Sequence, residues 1–231
     1  MIKIIRFMLV MMVIGLMTGC TYFPRFYLGA DEIHGKVVDA DTKEPIKDVV
    51  VVAVWKQDGG IIEEQHTANL VLRETTSDEQ GNYVIDGWGP RLTFSGYIDN
   101  SAPSLIFYKY GYAPNRMGNI TWGPNAGTYV HSEWTGKTIE LKKFVGTPKN
   151  YAESLSSLGD FLQYDSWYSG CDWKRVPQYT AAMIKLNIDL GQDRGWGPSN
   201  FTLDRLKSSG SRCGFNPGEV EKFLGKYLNE K

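Results

Sequence analysis

The sequence predicts a mainly β protein: a β-sandwich followed by a small α-helical C-terminal region. Three observations carry this expectation. Between Glu32 and Lys143, short β-branched and aromatic runs alternate with turn-rich segments, as in a chain of several short strands. The run "VVVVAVW", residues 49–55, is almost continuously apolar, which suits a strand buried on both faces or in a sandwich core. From Thr147 onward the apolar period changes from that of strands to that of helices.

The elements follow in order. "EIHGKVVD" begins with apolar and polar residues alternating, and "DADTKEPIKD" after it is dense in turn residues. Asp39 and Asp41 can bond their own backbone there, and Pro45 limits the chain. "LVLRETT" and "NYVIDGW" flank "SDEQG", which reads as a turn between strands, and "LIFYKYGY" and "KTIELKKF" complete the set. In "TPKNYAESLSSLGDFL", Thr147 is a helix cap and Pro148 lies in the first turn. "VPQYTAAMIKLNIDLG" sets Tyr179, Met183, Leu186 and Leu190 near one helical face. "PSNFTLDRLKSSG" predicts a third helix ended by glycine. "NPGEVEKFLGKYLNEK" starts a fourth at Asn216 and Pro217, aligning Val220, Phe223, Leu224 and Tyr227.

The N-terminus has an address written in it. Lys3 and Arg6 precede an apolar stretch from Phe7 to Met17 and the small residues Thr18 and Gly19, the layout of a secretory signal. The stretch is shorter than the roughly 18–20 apolar residues that span a bilayer. "LMTGC", with Leu16, Gly19 and Cys20, resembles the bacterial lipoprotein signal. That resemblance implies lipidation of Cys20, including a palmitate-type chain, and two or more chains anchor stably. Thr21 is not aspartate, which by the same resemblance implies the outer membrane. The aromatics of "TYFPRFY" then lie either at the membrane–water boundary or on the first strand of the domain.

Composition narrows the partners. The 231 residues have 42% hydrophobic and 22% charged content and a formal net charge of −1, so a globular core is expected and nucleic acid is not an expected partner. Of the three cysteines, lipidation of Cys20 leaves Cys171 and Cys213. An even pair in an exported chain predicts a disulfide.

"HGKVVDADTKEPIKDVVVVAVW", "TTSDEQGNYVI" and "LIFYKYGY" resemble the carboxypeptidase regulatory-like domain, a transthyretin-like β-sandwich found beside catalytic and surface modules. Gly35, Val37, Asp39, Pro45, Ile46, Val49, Val51, the Thr76–Asp78–Gly81–Tyr83 turn and the Gly111–Tyr112 pair carry it. Gly35 and Gly81 are read as tight or left-handed backbone. The resemblance covers about half the chain and implies fold rather than activity; it does not extend to the helical end. The expected organisation is a lipoprotein signal over 1–19, a membrane-proximal linker over 20–31, the sandwich over 32–145 and the helical region over 146–231.

Residues 56–69, 89–103 and 113–135 exceed a usual strand connection, and long connections are often functional. The third holds Trp122, Tyr129, His131 and Trp134 among glycines and asparagines. Aromatics with small polar neighbours make adaptable contact surfaces; the alternative is that these rings cap the sandwich.

Motifs for chemistry are missing. His34, His66 and His131 sit in no H-E-x-x-H. "HSE" lacks the P-C-x-x-C of a deaminase, and neither a G-x-S-x-G elbow nor a phosphate loop occurs. In "DADTKEP", Lys43 occupies a position where a calcium loop needs an oxygen ligand. The Tyr-Arg-Gly-Ser end of 5-hydroxyisourate hydrolase, an enzyme of transthyretin-like fold, has no counterpart in "GKYLNEK". The expectation is therefore a non-catalytic outer-membrane lipoprotein, without metal or cofactor, that binds an envelope protein. Glycan binding is the alternative, and a hydrolase with an unrecognised site is the third reading.

Overall fold

The computed structural model describes residues 27–58, 68–92, 97–99, 101–120, 129–159, 171–189, 202–216 and 218–228. The signal, Cys20, Trp122, Leu190 and Pro217 lie outside them. The described chain is mainly β, a sandwich followed by a small helical region. Its strands are β1 (Tyr27–Ala30), β2 (Ile33–Asp39), β3 (Val50–Asp58), β4 (Ala68–Thr76), β5 (Asn82–Ile85), β6 (Trp88–Leu92), β7 (Tyr97–Ile98), β8 (Ser104–Tyr108), β9 (Asn115–Met117), β10 (Tyr129–Val130) and β11 (Lys137–Leu141). The helices are α1 (Pro148–Gly159), α2 (Pro177–Asp189), α3 (Leu203–Ser209) and α4 (Glu219–Leu228).

One layer of the sandwich is a pair of three-stranded half-sheets, ordered β10-β1-β6 and β11-β2-β5. The same three stretches of chain run through both, and the break between halves falls at Asp31–Glu32, Asp86–Gly87 and the segment from His131 to Gly136. The second layer is ordered β4-β3-β8-β9, with β7 also paired to β3. All its pairings are antiparallel, whereas β1–β10 and β2–β11 are parallel.

The unbroken apolar run of β3 has a direct cause. Val51, Ala53 and Trp55 face the half-sheets, together with Leu105 and Phe107 of β8, Ile33, Val37, Ile85 and Ile139. The intervening Val52 and Val54 face the opposite way, into a second core with Leu72, Ile106, Tyr108 and the helical residues Tyr151, Leu155, Tyr179, Met183, Leu206 and Leu224. Successive side chains of a strand point to opposite faces, so a strand covered on both sides has no polar position. Each such Val, Ile or Leu contributes about 1.5–3 kcal/mol relative to exposure. The helical region is thus the third layer of one molecule rather than an appendage.

Local chemistry sets the element ends. Asp39 Oδ1 accepts from the N–H groups of Asp41 and Thr42 at 2.9 and 3.0 Å, closing the turn after β2. The two backbone bonds, aided by the Tyr112 hydroxyl and Lys143, hold its carboxyl down at about 2. Asp78 Oδ1 accepts from Gln80 and Asn82 N–H in the turn before β5. Thr147 Oγ1 accepts from Asn150 N–H to start α1, Thr202 caps α3, and Glu219 reaches back to Asn216 N–H at 2.7 Å to start α4.

Two expectations are corrected. Residues 27–30, placed in the linker, form β1, where Leu28 and Ala30 are buried. The long connections 89–103 and 113–135 contain β6, β7, β9 and β10. These pieces are too short for their alternation to show, and Pro90 in β6 disguises a strand that lies at a sheet edge, where proline is tolerated. Of the two glycines read as tight or left-handed, Gly81 is left-handed and Gly35 is tight: a Cβ there would lie 2.6 Å from the Tyr83 hydroxyl. The third helix is ended by glycine as expected, with Gly210 its C-cap. That residue keeps right-handed φ and continues into a 3-10 turn that ends at left-handed Gly214.

Candidate functional site

Two places gather polar and aromatic side chains: the joint between the half-sheets and the seam between sheet and helices. At the joint, Asp31 follows β1 and meets His131, which follows β10, through a contact between Asp31 Oδ2 and His131 Nδ1. The Tyr129 hydroxyl also bonds to Asp31, and this interaction raises the phenol's pKa. The Tyr129 ring lies against Gly29, where a Cβ would be 2.7 Å from it, and 5.6 Å from the His131 ring. Asn119 ties the loop down, donating to the carbonyls of Ala102 and His131 at 2.8 and 2.9 Å and accepting from Glu133 N–H. Glu133 in turn accepts from Ile120 N–H. These side chains tie together the described segments 113–120 and 129–135, beside which Tyr129 and His131 are exposed.

Trp134 behaves differently. Its indole N–H donates to the Gly118 carbonyl at 3.0 Å, and its half-buried ring packs against the sandwich core. It props the loop. The structure therefore brings together Tyr129 and His131 of the expected contact residues and adds Asp31, Asn119 and Glu133, which the sequence reading passed over. Asp31 was hidden by its assignment to a linker. Asn119 gave no motif and Glu133 only the rejected "HSE", because their partners here are backbone groups rather than neighbours in a pattern.

At the seam, α2 is docked on edge strand β4 by polar contacts. Glu74 of β4 accepts from the N–H groups of Gln178 and Tyr179 at 2.8 and 3.0 Å, supplying to the α2 N-terminus the acceptors its own sequence lacks. Burial pushes the Glu74 carboxyl up to about 7, against the two N–H bonds that lower it. Asp172 accepts from Asn69 Nδ2 at 2.8 Å and from Arg175 at 2.9 Å. Arg175 also donates to the Leu70 carbonyl at 3.1 Å, covering part of a sheet edge that would otherwise invite another strand. Cys171 and Cys213 are joined by a disulfide with Cα atoms 5.4 Å apart, and Trp173 stacks on Phe215 beside it.

Next to this seam lies a cleft of about 570 Å³. The turn before β3 contributes Lys47 and Asp48, the end of β8 contributes Tyr108, Lys109 and Tyr110, and α2 and α4 contribute Gln178, Lys185 and Tyr227. Burial, with the Tyr151 and Tyr179 phenols around it, raises the Tyr108 pKa and keeps it protonated. Among the described residues, no group of three or more His, Cys, Asp or Glu side chains is placed to hold a metal ion. No described helix is long and apolar enough to cross a membrane.

No protein family matches the chain, and no curated protein matches it. Among solved structures, a 3-chlorocatechol 1,2-dioxygenase from Rhodococcus opacus 1CP is similar at 14% identity over 52% of this chain and 62% of that one, with a TM-score of 0.29. A 9R-lipoxygenase from Cyanothece PCC8801 is similar at 12% identity over 90% of this chain and 30% of its own, with a TM-score of 0.25. An alternative pilotin from the type II secretion system of Vibrio cholerae is similar at 17% identity over 50% of this chain and 98% of that chain, with a TM-score of 0.25. The chain thus spans less than two thirds of the length of the first two, and likenesses at these TM-scores carry no argument about function.

Proposed function

We propose that this chain is a non-catalytic lipoprotein of the bacterial outer membrane, anchored by acyl chains on Cys20, whose carboxypeptidase regulatory-like sandwich is a binding or scaffold module for an envelope protein. The observation that carries the binding reading is the Tyr129–His131 pair, exposed yet held by contacts of both side chains with Asp31. A rigid aromatic beside a polar ring gives contact area at low entropic cost. The surface also stands near the proposed anchor. Tyr27 opens β1 seven residues after Cys20, and seven extended residues reach at most about 25 Å. A partner held there would sit close to the membrane.

The test is cross-linking and capture of the lipidated protein from its own envelope, in wild type and in a Tyr129→Ala/His131→Ala variant. A stoichiometric protein partner, lost in the variant while the melting temperature moves by no more than a few degrees, is expected. Recovery of glycan alone moves the function to sugar binding, and undiminished capture by the variant removes this surface from the proposal. Separately, Cys20→Ser is expected to abolish lipid labelling and membrane retention; unchanged labelling refutes the anchor.

A further inference from the structure

We infer that the cleft at the sheet–helix seam is a binding site for a small anionic ligand: one or two carboxylate or phosphate groups on an apolar or aromatic body. Nothing in the proposed partner surface requires this site, which is built from different elements. Its volume of about 570 Å³ falls within the roughly 300–1,000 Å³ of small-molecule sites. Its lining matches a ligand with two unlike ends. Val50 and Ala182 give an apolar floor and Tyr110 and Tyr227 give rings, while Lys47, Lys109 and Lys185 give three ammonium groups.

The cations are not all balanced by the protein. Lys47 is bonded to Glu79 at 3.2 Å, and Asp48 lies beside it. Lys185 is positioned by the Tyr227 carbonyl at 3.2 Å. Half-buried Lys109 reaches the Asp48 carbonyl at 3.5 Å, at the limit of a hydrogen bond, and among the described residues no carboxylate forms an ion pair with it. Among the described residues, Lys109 thus brings its charge to the cleft without an ion pair. An anion there would gain charge-assisted hydrogen bonds while its body covers the tyrosine faces. Gln178 and Thr76 add polar groups at the same wall. The site depends on two layers: the turn into β3 and the end of β8 meet the two helices only when the helical region is docked.

The probe is anilinonaphthalene sulfonate, an anion on a flat apolar body, titrated by fluorescence into the folded protein. One saturable site is expected, with affinity falling as salt rises. Lys47→Glu/Lys109→Glu is expected to weaken binding about tenfold or more, the loss of at least one charge-assisted hydrogen bond. Lys43→Glu, which reverses one charge away from the cleft at the Glu140 ion pair, is expected to change it less than about twofold. Inorganic phosphate and benzoate compete in separate arms; the stronger competitor identifies the phosphate or carboxylate source. Competition needs no variant, so a misfolded substitution leaves the test intact. Displacement by neither anion, equal binding of the uncharged anilinonaphthalene, or unchanged affinity in a folded Lys47→Glu/Lys109→Glu variant overturns the site. None of these outcomes bears on the Tyr129 surface.

Discussion

Single residues in this chain are constrained by different forces, and pairs of like residues separate them. Gly81 and Gly111 both adopt left-handed φ, 76° and 83°. A Cβ on Gly111 meets nothing within 4 Å, whereas one on Gly81 would lie 2.4 Å from the Val37 carbonyl oxygen. That oxygen is already fixed, accepting from Ile46 N–H at 3.1 Å. Gly111→Ala is therefore expected to cost about 1–2 kcal/mol, the left-handed penalty alone, and Gly81→Ala about 3 kcal/mol or more, since a backbone collision is added. Urea unfolding measures both; equal losses would show that the Val37 contact does not matter. Glu74 is constrained by its surroundings instead. Its folded pKa of about 7 lies above its ordinary value of 4.5, so the folded state binds the proton more tightly. The stabilisation is complete below about pH 4.5 and is lost as pH rises through 7. Allowing for the part of the carboxyl left in water, the loss is roughly 2 kcal/mol. Melting curves between pH 4.5 and 8 are expected to show this fall, and Glu74→Gln to flatten it. A slope unchanged by that substitution would place the titration elsewhere.

At the scale of elements, the helices depend on links that their own sequences only half supply. α3 and α4 carry local caps at Thr202 and Glu219. The N-terminus of α2 takes its acceptor from β4. The Cys171–Cys213 bridge, 42 residues apart in sequence, joins the turn before α2 to the turn before α4. Chain entropy predicts about 4 kcal/mol for a loop of this size, with measured cases often smaller. Reduction, or Cys171→Ser/Cys213→Ser, is expected to lower the melting temperature by roughly 5–15 °C. Hydrogen exchange should accelerate first in α2 and α4 and last in β3, which has strands on either side and a core on both faces. Faster exchange in β3 than in α4 after reduction would contradict this order.

For the whole molecule, the decisive feature is that the central sheet serves two cores. Deleting residues 146–231 would uncover Val52, Val54, Leu72, Ile106 and Tyr108 together, an apolar patch of the kind that drives association. The truncated sandwich is expected to aggregate or self-associate in size-exclusion chromatography, and the full chain to unfold in one cooperative step. A stable monomeric sandwich would show that the helical layer is dispensable. The sequence by itself determined the mainly β class, the four helices with the cap at Thr147 and the start at Asn216, the Asp78–Gly81 turn and the cysteine pair available for a bridge. These are local: each is written in the spacing of apolar residues or in a side chain bonding backbone a few positions away. The run "VVVVAVW" announced a strand buried on both faces or in a sandwich core, but not which, nor what would bury it. Only the tertiary structure decided that helices cover one side, that residues 27–30 belong to the sandwich, that Glu74 caps a helix about a hundred positions away, and that Lys47, Lys109 and Lys185 share one cleft. Those contacts arise between segments far apart in the chain, where proximity is set by the packing of layers, and no residue's neighbours in sequence record it.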